Sequence, residues 1–180
     1  MVDPAPEFSR TVPADLIGPQ VQEHRIEASA AERRALAERF ELAELKSLLA
    51  VVRLQRPNSK GLIHFEACFE AELVQTCVVT LEPIESHVKD RIVLQFGRAT
   101  AADGAQATEI DIAIDEEDPP EPIVSGDIDM GEAVAQGLAL ALDPYPRKPG
   151  ASLEAGVSDL GDAEASANPF AALAPLRKKD

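Results

Sequence analysis

Ile63-His64-Phe65-Glu66-Ala67-Cys68-Phe69-Glu70-Ala71-Glu72-Leu73 alternates apolar and polar residues without a break. Ile63, Phe65, Ala67, Phe69, Ala71 and Leu73 fall on odd positions, and His64, Glu66, Cys68, Glu70 and Glu72 on even ones. Successive side chains of an extended chain point to opposite faces, so this stretch predicts a strand with one buried and one wet face. After Glu82-Pro83 the parity reverses: Ile84, Val88, Ile92, Leu94 and Phe96 are all even. Together the segments predict a long hairpin over about 62–81 and 84–96, with Leu81 opposite Ile84, Cys77 opposite Val88, Leu73 opposite Ile92 and Phe69 opposite Phe96. Every such pair falls on the buried face, and a slip of one residue would destroy the match. Pro83 fits poorly in a two-residue primed turn, so a loop of about four residues or slightly more is expected.

Upstream, Pro4, Pro6, Pro13, Gly18 and Pro19 mark extended segments and turns, with short strands expected at Phe8–Val12 and Val21–Glu27. Ser29-Ala30-Ala31-Glu32 has the form of a capping box and predicts a helix to about Phe40, with Leu36 and Phe40 on one face. Leu45–Gln55 reads as a strand, although the periodicity of Leu45–Val52 also fits a short buried helix. Downstream of the hairpin, Ile110, Ile112 and Ile114 suggest another strand, followed by an acidic linker over Asp115–Pro122. Asp129 with Glu132 opens a helix over Met130–Leu142, which must stop before Pro144. Pro, Gly, Ala, Ser and Asp dominate Asp143–Ala167, as expected of a mobile linker. Asn168-Pro169-Phe170 then resembles an N-cap followed by proline at the first helical position. Phe170, Leu173 and Leu176 give that end a small apolar edge, closed by Arg177-Lys178-Lys179. The expectation is an α+β domain over residues 1–142, a linker over 143–167 and a short helical motif over 168–180. An antiparallel sheet would carry the hairpin and be covered by one or two helices.

The 180 residues include 17 Lys+Arg and 32 Asp+Glu, a net charge of -15, and 45% are hydrophobic, enough for a core. No apolar run approaches the ~20 residues needed to cross a bilayer, and Met1-Val2-Asp3-Pro4 does not begin a signal peptide. A soluble, cytoplasmic, acidic protein is expected, with no membrane partner. The acids are concentrated: no Lys or Arg occurs between Arg98 and Arg147, a gap that holds twelve Asp and Glu. Such a surface opposes nonspecific nucleic-acid binding and favours a basic partner; its bland alternative is a solvated loop that keeps the protein soluble.

Catalytic chemistry finds little support. There is no Gly-rich phosphate loop, no H-x-x-x-H and no nucleophile elbow. His24, His64 and His87 lie in different segments, and none is predicted to face a cysteine. Cys68 and Cys77 have opposite strand parity and would sit roughly 30 Å apart in an extended strand, too far for a disulfide. Asp115–Asp118 and Asp127-Ile128-Asp129 lack the ordered spacing of a cation loop. No catalytic residue, metal or cofactor is therefore expected.

Val74-Gln75-Thr76-Cys77-Val78-Val79-Thr80-Leu81-Glu82-Pro83-Ile84 resembles the central signature of the YceD family, the large ribosomal RNA subunit accumulation proteins. Many members carry C-x-x-C-L-[ED]-P there; Cys77 matches the first cysteine, Thr80 stands in place of the second, and Leu81, Glu82 and Pro83 match the rest. Leu140-Ala141-Leu142-Asp143-Pro144-Tyr145-Pro146 and Asn168-Pro169-Phe170-Ala171-Ala172-Leu173 extend the likeness, which is similar to the alphaproteobacterial branch. The resemblance implies a role in synthesis, processing or stability of large-subunit ribosomal RNA in bacteria and plastids, with no enzymatic activity to carry over. One thiol and a threonine make neither a redox pair nor half of a Cys₄ zinc site. The motif residues Cys77, Leu81, Glu82, Pro83, Asn168, Pro169 and Phe170 are accordingly expected to be structural, with Cys77 and Leu81 packed inward.

Two functional expectations follow. In the first, Asp115, Glu116, Glu117, Asp118 and Glu121 bind a basic protein such as a ribosomal protein, or a pre-ribosomal particle. In the alternative, Arg33, Arg34, Arg39, Arg53, Arg56 and Lys60 contact ribosomal RNA directly, which requires them to converge on one surface.

Overall fold

The structure is a computed structural model, and it describes residues 6–57, 61–97, 120–123 and 125–151. In chain order the elements are β1 (Thr11–Pro13), a 3₁₀ turn (Ala14–Leu16), β2 (Gln22–Glu27), α1 (Ala30–Arg39), β3 (Glu44–Gln55), β4 (Ile63–Thr76), β5 (Pro83–Gly97), β6 (Glu121–Pro122), β7 (Asp127–Asp129) and α2 (Met130–Ala141). β2 to β6 form a five-stranded sheet in sequence order, antiparallel except where β6 runs parallel to β5. β1 and β7 make a separate antiparallel pair. The fold is α+β, as the alternating hairpin and the two capped helices predict.

One face of the sheet is the core. Ile63, Phe65, Ala67, Phe69, Ala71 and Leu73 of β4 are all buried, together with Leu45, Leu48, Ala50, Val52 and Leu54 of β3. α1 seals this face over β3 through Leu36, and α2 lies over β4 and β5 through Val134 and Leu138. The opposite face carries the even residues of β4 and is laced by polar side-chain contacts between strands. Arg53 meets Glu23 at 3.0 Å, Arg91 meets Glu66 at 2.9 Å and His87 meets Glu70 at 2.7 Å.

The hairpin differs from its expected form in register. Leu73 lies opposite Ser86, Ala71 opposite Val88, Ala67 opposite Ile92, Phe65 opposite Leu94 and Ile63 opposite Phe96. Relative to the expected pairing, β5 has moved by six residues (Ser86, not Ile92, faces Leu73). An even shift leaves the buried faces matched, so the alternation is satisfied in either register. β4 ends at Thr76 and not at residue 81, because Cys77–Glu82 closes into a six-residue loop. Cys77 N–H donates to the Glu82 carbonyl and Leu81 N–H to the Cys77 carbonyl, both at 2.9 Å. These bonds consume the backbone groups that a longer ladder would have used.

Both helix starts match their sequence signals. The Ser29 hydroxyl accepts the Glu32 N–H while the Glu32 carboxylate accepts the Ser29 N–H, a complete capping box. At α2 the Asp129 carboxylate accepts the N–H groups of Gly131 and Glu132, and also that of Arg10 on β1. Glu132 does not reach back to the cap; its carboxylate takes Arg39 of α1 at 2.9 Å.

The first turn of α2 sits against the backbone of the N-terminal segment. A Cβ at Gly131 would lie 2.5 Å from the Phe8 carbonyl oxygen. Gly131→Ala gains ~1 kcal/mol of helix propensity but loses more to this overlap, for a net destabilisation of about 1–2 kcal/mol. Urea unfolding should show a lowered midpoint for this variant, while Gly18→Ala, which meets nothing within 4 Å, stays close to the parent. Equal midpoints for both would refute the contact.

Candidate functional site

Two features of the described residues stand apart from ordinary packing, and they lie at different ends of β5. The first is the Cys77–Glu82 loop. Its thiol is completely shielded from solvent, and it accepts the backbone N–H groups of Thr80 and Lys148, each at 3.4 Å. Hydrogen bonding from Thr80, then from the Lys148 N–H, pulls the thiol down from its ordinary 9.0 to about 6, against the opposing effect of burial. Outside this centre, Val78 N–H donates to the Pro146 carbonyl at 2.9 Å and the Gln75 amide to the Asp143 carbonyl at 2.9 Å. Lys148 Nζ completes the join on Glu82 at 2.8 Å, which lowers the Glu82 carboxyl.

The residues of the expected linker that follow α2, Asp143–Lys148, thus lie bonded to this loop. Residues 152–180, including Asn168, Pro169 and Phe170, fall outside the described residues. Cys77 is inward as expected, but Leu81 is not. It sits at φ 59° with 76% of its surface exposed, lining one surface with Pro144, Pro146 and exposed Val78, while Tyr145 is 71% exposed. A non-glycine residue in the left-handed region costs roughly 1 kcal/mol, and here the loop's internal hydrogen bonds hold it. Sequence parity placed Leu81 on the buried face because it extended the strand five residues too far. Tyr145, the single tyrosine, and Val78 were not singled out by the sequence, although a tyrosine between two prolines is a visible signal of a rigid exposed segment.

The second feature is a groove of about 500 Å³ between α2 and the far half of β5. Its floor is Ile92, Leu94 and Phe96 of β5 with Ala133 and Leu140 of α2. Its rim carries Glu121, Asp127 and Glu132. Leu140 is 88% exposed, and the β5 side chains are only half covered, unlike their fully buried partners on β4. α2 approaches the sheet where Gly137 leaves room for Ile92, and at the far end of β5 the short strand β6 pairs alongside Phe96 and Gly97.

Of the acidic candidates, Glu121 is exposed at the groove rim, whereas Asp115, Glu116, Glu117 and Asp118 lie outside the described residues, as do the expected strand at Ile110–Ile114 and Lys60. The basic candidates are not gathered. Arg39 is paired with Glu7 and Glu132 and Arg53 with Glu23, while Arg33 and Arg56 donate to the carbonyls of Ala28 and Ala14. Arg53 points from the outer face of the sheet, opposite to the face that α1, with Arg33, Arg34 and Arg39, covers. Among the described residues no three His, Cys, Asp or Glu side chains converge as a metal site. The thiol of Cys77 has no histidine beside it, since His87 is bonded to Glu70. No described helix is long and apolar enough to cross a membrane.

No curated protein and no solved structure matches the chain. A family model does, over residues 65–177, and that span contains both the loop around Cys77 and the Pro144-Tyr145-Pro146 segment bonded to it. With more than half its length matched, and with the motif segments meeting in space, the chain belongs to the YceD family, described as large ribosomal RNA subunit accumulation protein YceD.

Proposed function

We propose that this chain is a non-enzymatic factor that promotes accumulation of large-subunit ribosomal RNA, through its synthesis, processing or stability, by binding a basic protein of the large subunit. The carrying observation is the charge distribution within a member of this family: twelve acids and no Lys or Arg between Arg98 and Arg147. Of those acids, Glu121, Asp127, Asp129 and Glu132 lie on described elements and line one apolar groove; Asp129 caps α2 and Glu132 pairs with Arg39, which leaves Glu121 and Asp127 without an ion-pair partner among the described residues. An acidic stretch of this kind attracts a basic partner over a Debye length and orients it before contact. Direct RNA binding has less support, because four of the five arginines it needs, Arg33, Arg39, Arg53 and Arg56, are spent on carboxylates and carbonyls, and Arg53 faces the other side of the sheet from those of α1. Such a factor would work in the cytoplasm, beside assembling ribosomes.

A tagged pull-down at low and at moderate salt, with and without RNase, separates these readings. Retention of a basic ribosomal protein after RNase, and its loss as salt rises, is the expected result. Large-subunit RNA that leaves together with its proteins on RNase treatment would overturn the protein-binding mechanism in favour of RNA contact.

A further inference from the structure

We infer that the groove between α2 and β5 is the seat of the chain's own C-terminal segment, Asn168–Lys179, whose apolar edge Phe170, Leu173 and Leu176 covers the half-buried floor. The groove is an apolar surface beside the core with nothing upon it among the described residues: Ile92, Leu94 and Phe96 are half-covered and Leu140 stands almost free. Its rim is acidic, and Glu121 and Asp127 have no ion-pair partner among the described residues. The C-terminal segment is complementary on both counts, because its three apolar residues are followed immediately by Arg177-Lys178-Lys179. The other long stretch outside the described residues, 98–119, is the wrong sign. It holds seven acids and one arginine, and would bring carboxylates against carboxylates.

Reach is no obstacle. Residues 152–167 separate the last described residue, Ala151, from Asn168, and extended they span about 55 Å, against the roughly 30–45 Å that β5 runs from Pro83 to Ile92 and Phe96. A tether of this length holds the segment at an effective concentration on the order of millimolar, so even a weak groove contact is largely occupied. The family match ends at residue 177, which places the apolar edge and Arg177 inside the unit that the family shares, with Lys178 and Lys179 just beyond it.

The test uses the full chain with p-benzoylphenylalanine in place of Leu173, irradiated and mapped by mass spectrometry. The expected result is a crosslink of monomer mass to Ile92–Phe96 or Ala133–Leu140, with a yield unchanged by about tenfold dilution, as an intramolecular contact requires. Leu140→Glu, at a position too exposed to disturb folding, should cut that yield by about threefold or more, since it places a charge on the apolar floor. Replacing Arg177, Lys178 and Lys179 with glutamate should do the same at low salt, and circular dichroism should be unchanged in both variants. Crosslinks of dimer mass would assign the groove to a second copy and overturn the inference. So would crosslinks confined to 98–119 or to the Val78–Leu81 loop, or a yield indifferent to both variants.

Discussion

Replacing Cys77 with alanine is expected to lower the free energy of unfolding by about 3 kcal/mol, whereas Cys68→Ala stays within about 0.5 kcal/mol of the parent. The two cysteines are chemically identical and both are free, but Cys68 is exposed in the middle of β4 while Cys77 is closed off at its end. Alanine at 77 removes the acceptor of the Thr80 and Lys148 N–H groups and opens a small void in a shielded position. Because one of those donors lies 71 residues away, the loss also loosens Pro146–Lys148 from the loop. The pH dependence is a second readout. The folded state holds this thiol at about 6 and the unfolded chain near 9.0, so between these values the unfolded state binds more proton and stability rises with pH. The contribution is fully present above about 9 and is lost as pH falls through about 6. Urea unfolding across that window should show the rise in the parent and a flatter profile in Cys77→Ala. Parallel profiles would show that the thiol does not gather these donors in solution.

Neutralising Glu116, Glu117 and Asp118, to Gln, Gln and Asn, is expected to weaken binding of the basic partner about tenfold at low salt. Exposed charges each contribute a fraction of a kcal/mol, and three together approach the ~1.4 kcal/mol that a factor of ten requires. The loss should come through a slower association rate and should fade as the Debye length shrinks below about 8 Å. Titration calorimetry or surface-plasmon measurements with the protein retained in the RNase-treated pull-down provide the check. Unchanged affinity at low salt would remove the acidic stretch from the mechanism and leave the solubilising role.

Strand parity, helix caps and the proline breaks were legible because each is a local rule. Alternation assigns a face to every residue of β4 and β5 without reference to any partner, and Ser29 and Asp129 announce their helices within four residues. Leu45–Gln55 was ambiguous for a physical reason. A bulge between Leu45 and Ser47 inserts Lys46, so Leu45 and Leu48 both face the core at a three-residue spacing that mimics a helix. The arginines of α1 and β3 read as one basic group in sequence, yet strand β3 turns Arg53 to the opposite face and Glu132, 93 residues from Arg39, neutralises another.

The sequence by itself determined which side of β4 and of β5 is buried, since a period of two is written residue by residue. Only the tertiary structure decided where the hairpin turns, and with it the outward position of Leu81. That choice rests on Cys77 and Val78 bonding to Lys148 and Pro146 across the fold, and a register moved by six residues satisfies the same alternation. It also decided that the acids of α2 and of the segment before it line a groove with a half-buried apolar floor, because the spacing of α2 from β5 is set by packing at Gly137 and not by any pattern along the chain.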